Sequence, residues 1–276
     1  LSREGHDITV IDQKADVVRH MTDEADVRGV VGNGASYNIQ KEAGIDEADL
    51  LIAVTNADEV NLLCCLIAKK AGGCKTIARV RNPIYHQEIG HIKGELGLSM
   101  VINPEFAAAS EIARLLRFPS AIEINTFAKG RIELLRFRVE ASSPLAGRKL
   151  KDISELTQCE ALVCIVERKG QITIPDGEME LQADDTISIV ASPLNASRFF
   201  KLMGVQTNQV KNTMIIGGSK TAYYLARRLL AMKIKVKIIE KNMAHCEELS
   251  ELLPQAMIIQ GDGTDQGLLE EEGLRD

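Results

Sequence analysis

The chain has 276 residues, 45% of them hydrophobic and 26% charged, with aromatics at 4%, no tryptophan and a net charge of −6. This length suits two domains or one large one, and the composition excludes a disordered or low-complexity chain. The negative balance argues against a nucleic-acid binder, and the longest apolar runs, "DLLIAVT" and "NLLCCLIA", are too short to cross a bilayer.

In chain order, "HDITVID" (6–12) reads as a buried parallel strand that closes on a carboxylate, Asp12. "GVVGNGASYNIQKEAG" (29–44) gives a strand, a glycine turn at Asn33-Gly34 and a helical run after "VGNGASYN". "DLLIAVT" (49–55) is a strand ending in the polar turn Thr55-Asn56-Ala57-Asp58, which is expected to cap the next helix. That helix, about 58–71, is expected to bury Val60, Leu63, Leu66 and Ile67. "KTIARV" (75–80) is a strand, Arg81-Asn82-Pro83 opens a helix, and "LSMVIN" (98–103) is a last short strand. Alternating strands and helices of these lengths make a doubly wound parallel sheet, which takes ligands at the carboxyl ends of its strands. The residues there are Asp12, Asn33-Gly34, Thr55-Asn56, and Arg79 with Arg81. For the arginines a phosphate contact and a surface ion pair stand as equal readings.

"PEFAAASEIARLLRFPS" (104–120) is a helix between two prolines, with apolar stripes at Phe106, Ala109, Ala113, Leu116 and at Ala108, Ile112, Leu115. Two apolar sides suit either packing between subunits or burial within the domain. From about 121 the pattern changes to hairpins turning at Lys129-Gly130 and Lys169-Gly170, a strand "DDTISIVAS" and a helix "LNASRFFKLMG". This is a small α+β module without a catalytic-looking cluster, bounded by the polar stretch "VQTNQVKN" (205–212). The six cysteines (Cys64, Cys65, Cys74, Cys159, Cys164, Cys246) contain no CxxC pair and read as reduced, buried, small apolar residues of a cytosolic protein. His86 and His91 are five apart, off a single helix face, and no metal site is expected.

"NTMIIGGSKTAYYLARRLLAMK" (212–233) is a strand, a glycine turn and a helix with apolar residues at Ala222, Leu225, Ala226, Leu229 and Leu230. "IKVKIIE" (234–240) follows as a strand ending in Glu240, 23 residues after Gly217. That order is the dinucleotide-binding βαβ unit: the glycine turn and helix N-terminus meet a pyrophosphate, and the acid takes ribose hydroxyls. Gly217-Gly218-Ser219-Lys220-Thr221-Ala222 is a degraded fingerprint, because Ser219 crowds the pyrophosphate approach. A binding domain and one that has lost its ligand are both open for this half.

The chain repeats itself. At an offset of 229, Gly32, Asn33, Gly34, Ile39, Glu42 and Gly44 fall on Gly261, Asp262, Gly263, Leu268, Glu271 and Gly273. Upstream the offset becomes 228 and places Ile8, Val10, Ile11 and Asp12 on Val236, Ile238, Ile239 and Glu240. The spacing of the second copy implies a glycine loop before the residue numbered 1, and the second copy stops about one βα unit past its acid. The expectation is a piece of a longer chain with three parts: a first Rossmann-like domain over 1–120, a small α+β regulatory domain over 121–205 and a second Rossmann-like domain over 211–276.

"GNGASYNIQKEAGIDEADLLIAVTNADEVNLLCCLIAKKAG", "IARVRNP", "VINPEFAAASEIARLL", "SPLAGRKLKDI" and "IIQGDGTDQGLLEEEGL" resemble the TrkA-type regulatory subunits of bacterial potassium uptake, over essentially the whole chain. More broadly, the chain resembles the domains that regulate potassium conductance. The resemblance implies a cytosolic, non-enzymatic protein, peripheral on the inner face of the membrane, that binds NAD, NADH or ATP/ADP. It also implies a homo-oligomer, dimers assembling into a ring, under an integral-membrane potassium transporter or channel that nucleotide exchange gates. Carried onto this sequence, Asp12 takes the ribose, Asn33 and Gly34 the adenine side, Thr55 and Asn56 the phosphate or distal part, and Arg79 a phosphate. Gly217, Gly218, Glu240, Asp262 and Gly263 are the second set, with Ser219, Lys220 and Thr221 at the fingerprint helix. An NAD-dependent oxidoreductase would need a proton donor that the middle module does not offer. A scaffold with vestigial sites is the third reading, which acids at both strand ends disfavour. Those acids favour an unphosphorylated ribose, hence NAD or adenine nucleotides over NADP.

Overall fold

The structure is a computed structural model and describes residues 1–117, 121–128, 130–157, 159–202 and 210–274. Lys129 of the first hairpin turn and residues 205–209 of the polar boundary lie outside the described residues. The chain forms two compact units, Leu1–Ala108 with Ser219–Tyr224, and Ala109–Gly218 with Leu225–Asp276.

The first unit alternates β1 (Thr9–Asp12), α1 (Ala15–Glu24), β2 (Arg28–Val31), α2 (Tyr37–Glu42), β3 (Leu50–Ala53), α3 (Asp58–Ala71), β4 (Lys75–Arg79), α4 (Pro83–Ile92), β5 (Met100–Ile102) and the first turn of α5 (Pro104–Arg117). All strand pairs are parallel, β1 with β2 and β3-β4-β5 in a second sheet, as the βα alternation requires. Asn82 caps α4 by accepting from the Ile84 amide at 2.9 Å, with Pro83 at the first helical position, where its missing N–H costs nothing. Tyr224 sits in this unit with its hydroxyl donating to the Arg81 carbonyl (2.9 Å) and accepting from Asn103 Nδ2 (3.0 Å), and burial pushes that phenol up to about 12.

Three local expectations are corrected here. The strand read over 49–55 ends at Ala53, because Val54 and Thr55 leave the ladder. The Thr55–Asp58 turn does not cap α3: the N-cap is Ala57 without a side-chain bond, and the Thr55 hydroxyl donates to the Ala57 carbonyl instead. The buried stripe of α3 is Asp58, Asn61, Cys64, Cys65 and Ala68, while Leu63 is exposed. Two polar residues on the core face hide that stripe from a reading based on apolar spacing. Burial raises the Cys64 thiol to about 11 and Cys65 to about 12, so both behave as small apolar groups.

The second unit holds an antiparallel sheet, in the order β6 (Glu123–Phe127), β7 (Ile132–Arg138), β10 (Thr186–Ala191), β8 (Ala161–Arg168) and β9 (Gln171–Thr173). Its helices are α6 (Leu150–Thr157), which the sequence reading did not place, and α7 (Pro193–Leu202). Phe137, Phe199 and Phe200 form its core, with ring centroids 4.8 to 6.2 Å apart and Leu135, Ile187 and Ile189 fully buried beside them. On α5, Ala109 and Ala113 are buried, whereas Ile112 and Leu115 of the other stripe are exposed. The same unit contains the parallel sheet β11 (Asn212–Ile216), β12 (Lys235–Glu240) and β13 (Met257–Gln260) with α9 (Met243–Leu252) and α10 (Gln266–Glu271). α8 (Lys220–Ala231) buries Ala222, Leu225, Ala226 and Leu229, as its periodicity requires.

The repeat is structural at single-residue resolution. α1 and α9 are both ten residues long at an offset of 228, and α2 and α10 both six residues long at 229. Asp12 pairs with Val31 where Glu240 pairs with Gln260. The slip lies in the turn between helix and strand, Ala25-Asp26-Val27 in one copy and Leu253-Pro254-Gln255-Ala256 in the other. Among the described residues no helix is long and apolar enough to cross a membrane.

Candidate functional site

The candidate residues of the first copy stand where parallel strands release their carboxyl ends. Asp12 is the last residue of β1, and its carbonyl accepts from Gly32 at 2.8 Å, which carries the ladder one step past β2. The Asp12 carboxylate accepts from the Lys14 amide (2.9 Å), fixing the turn into α1. Asn33 Oδ1 accepts from Ala35 (2.9 Å) and so folds the Gly32-Asn33-Gly34 turn on itself. A Cβ on Gly32 would come within 2.7 Å of the Ile39 side chain, so any larger residue there would have to displace Ile39.

The second copy reproduces this geometry. Gly261 donates to the Glu240 carbonyl (3.0 Å), Asp262 Oδ1 accepts from Thr264 (3.0 Å), and a Cβ on Gly261 would meet Leu268 at 2.3 Å. Gly44 and Gly273 both take φ 87, the left-handed conformation that ends each short helix.

The two copies differ in how free their acids are. Glu240 accepts from the Asn242 amide (2.7 Å) and, with its other oxygen, from the Gly218 amide (2.6 Å). Those backbone donors, Asn242 first and then Gly218, hold its carboxyl below the ordinary range. Gly218 thus spends on Glu240 the N–H that an anionic ligand would use. Gly217 turns the chain at φ 92 and donates to the Ile239 carbonyl. Asp262 is ion-paired to Lys241 (2.9 Å), which with the Thr264 hydroxyl and amide lowers its carboxyl well below the usual range. A Cβ on Gly263 would lie 2.3 Å from Ile216, so this residue approaches the end of β11 closely. Ser219 Oγ accepts from Ala222 (3.3 Å) in the manner of a helix cap, just before Lys220 and Thr221 open α8. A serine at that fingerprint position therefore has a structural reason of its own.

The two arginines separate. Arg81 donates to the Asn56 carbonyl (2.6 Å) and lies 3.7 Å from the buried Asp58 and 3.9 Å from Glu105, so two acids neutralise it. Arg79 donates through Nη2 to the Val54 (2.9 Å) and Thr55 (3.0 Å) carbonyls and has no carboxylate within ion-pair distance among the described residues. It brings a positive charge to the Thr55-Asn56 turn.

Two polar residues of this region escaped the sequence reading, Gln40 and Asn61, and Asp58, read there as part of a capping turn, is buried with them. Asp58 Oδ2 accepts from the Arg81 (2.8 Å) and Asn82 (2.7 Å) amides and so shapes the loop after β4. For Asn61 the signal is a lone polar residue inside the apolar run of α3, whereas Gln40 lies among polar neighbours in α2 and gives none.

The TrkA-N domain family matches residues 1–104 and 213–276, and the TrkA-C domain family matches residues 134–204. The Trk system potassium uptake protein trkA homolog 1 of Methanosarcina mazei is 35% identical over 98% of this chain and 68% of its own length. The Halomonas elongata TrkA is 32% identical over 100% of this chain and 61% of its own, and the Archaeoglobus fulgidus homolog 35% identical over 97% and 60%. The chain thus spans about two thirds or less of these relatives. Solved structures that share its fold over 99% of the chain include the GsuK channel bound to NAD (TM-score 0.65, 17% identity, 47% of that chain) and the GsuK RCK domain (TM-score 0.64, 18%, 57% of that chain).

Proposed function

The chain belongs to the TrkA family, and on that premise we propose that it is a nucleotide-binding regulatory part of a potassium uptake system. The observation that carries the reading is the doubled constellation of a strand-end acid beside a closed glycine turn, Asp12 with Asn33-Gly34 and Glu240 with Asp262-Gly263. In the first copy Asp12 would take the ribose, Asn33 and Gly34 the adenine side, Thr55 and Asn56 the distal part, and Arg79 a phosphate. An arginine at the end of a parallel strand with no carboxylate partner among the described residues suits an anionic group. In the second copy Gly217, Gly218, Ser219, Lys220 and Thr221 would face the phosphates and Glu240 the ribose. The ligand is NAD, NADH, ATP or ADP, since acids at the ribose position select against a 2′-phosphate.

The protein would act on the cytosolic side, as a homo-oligomer beneath an integral-membrane potassium-translocating partner, without catalysing a reaction. Exposed Ile112 and Leu115 on α5 offer an apolar stripe for such association. A nucleotide gates the partner only through a difference in its affinity for two states of the assembly. A second reading concerns the second copy alone: the Gly218 amide is already engaged by Glu240, which would favour a scaffold role there.

The test is potassium uptake by a Trk-type transporter reconstituted in vesicles with this protein. Saturating nucleotide is expected to change uptake several-fold, about tenfold for each 1.4 kcal/mol of differential affinity. Uptake that stays constant while nucleotide binds would contradict the regulatory role.

A further inference from the structure

We infer that two fully buried carboxamides, Gln40 and Asn61, are positioning residues that hold the two ligand-facing turns of the first copy, each governing a different part of the ligand. This rests on the nucleotide reading above and assigns residues to it that touch no ligand themselves.

Asn61 stands where the β3–β4 ladder stops. The last paired residues are Ala53 and Ala78, and beyond them the strands part. The Asn61 amide bridges that opening: Oδ1 accepts from the Thr55 amide (2.7 Å), while Nδ2 donates to the Thr55 (3.1 Å) and Arg79 (2.9 Å) carbonyls. One side chain satisfies the Thr55 amide and the Arg79 carbonyl, which the splayed strands release, and shares the Thr55 carbonyl with Arg79 Nη2. A crevice at the carboxyl edge of a parallel sheet needs such splaying. Asn61 thereby fixes Thr55 and the backbone of Arg79 together, on the side assigned to the phosphates.

Gln40 does the same for the other turn. Its Nε2 donates to the Gly34 carbonyl (2.7 Å) and the Cys64 carbonyl (3.0 Å), tying the Asn33-Gly34 turn to α3. The repeat supplies an internal comparison: position 40 corresponds to Leu269 in the second copy, which cannot make this tie. The first copy alone carries the clamp, although its turn backbone is closed identically in both.

The experiment is calorimetric titration of the protein with ADP and with adenosine. Asn61→Ser is expected to weaken ADP about tenfold and to leave adenosine within about threefold, so the ratio of the two affinities collapses. Gln40→Met is expected to weaken both ligands alike, because the adenosine end is common to them. Asn61→Asp keeps the shape but sets a carboxylate oxygen against the Thr55 and Arg79 carbonyls, and it is read in the same way should Asn61→Ser fail to fold. An unchanged ADP-to-adenosine ratio in a folded Asn61 variant overturns this inference alone. Absence of ADP binding by the unaltered protein overturns the nucleotide reading and the inference with it.

Discussion

Gly72→Ala is expected to destabilise the first unit by roughly 3 kcal/mol or more, at the upper end of overpacking effects. Gly72 closes α3 with an ordinary backbone (φ −117, ψ −14), so conformation alone would admit alanine. Space does not: a Cβ there would lie 2.1 Å from the Ile45 carbonyl oxygen, 2.9 Å from its carbon and 3.3 Å from Asp46 Cα. The obstacle is backbone, which no rotamer change can move aside. Relief would require pulling the segment after α2 away from α3 and opening the cluster of Ile45, Ala68 and Cys74. Gly73→Ala is the control. It has open space but φ 72, so it is expected to cost only about 1 kcal/mol of left-handed strain. Denaturant titration of both variants compares them, and equal losses would contradict the steric account.

The second large effect is expected at Asp185, in the antiparallel sheet's unit. Its carboxylate is 1% exposed and accepts from Arg168 Nε and Nη2, both at 2.7 Å, and from the Gln182 amide at 2.8 Å. Arg168 also donates to the Glu180 carbonyl (2.8 Å), so the pair joins the β8–β9 hairpin to the approach of β10. Asp185→Asn leaves the guanidinium without its counter-charge and is expected to cost about 3 kcal/mol. The pair also sets a pH dependence. Arg168 first, and the Gln182 amide after it, hold the Asp185 carboxyl below its ordinary value of 3.8. The unfolded chain therefore binds that proton more readily than the folded one. The stabilisation is complete above the ordinary value and is lost as pH falls through the lower folded value. Asp185→Asn should accordingly be less stable at neutral pH and lose less between about pH 5 and pH 2 than the unaltered protein. A parallel acid dependence in both proteins would contradict this assignment.

Most of the fold was legible because it rests on patterns that periodicity and glycine report directly. β-Branched runs closing on Asp12 and Glu240 form the parallel strands, and the repeated glycines mark the turns that must approach a helix or turn left-handed. The one-residue slip in the repeat has a physical home, a helix-to-strand turn that tolerates insertion. What escaped was buried polarity. Asn61 and Asp58 occupy core positions of α3, so apolar counting put Leu63 inside, where the structure exposes it. The same asparagine explains the early end of β3, since it takes the bonds a longer ladder would have made. α6 escaped because it is short, at eight residues, and follows a turn-rich stretch. In the candidate site, the distinction between Arg79 and Arg81 needed coordinates. Only the placement of Asp58 and Glu105 shows which of two neighbouring arginines is already neutralised.

The nucleotide reading is tested most directly by calorimetric titration of the protein with NADH, NAD, ATP, ADP and NADPH, repeated for Asp12→Ala and Glu240→Ala. Saturable binding of at least one of the first four is expected, weaker for NADPH, and reduced about tenfold or more when Asp12 is lost, as for a charge-assisted ribose contact. A smaller effect at Glu240 would follow from its bond to Gly218. No binding by any of these nucleotides, or binding unmoved by either substitution, would contradict the account.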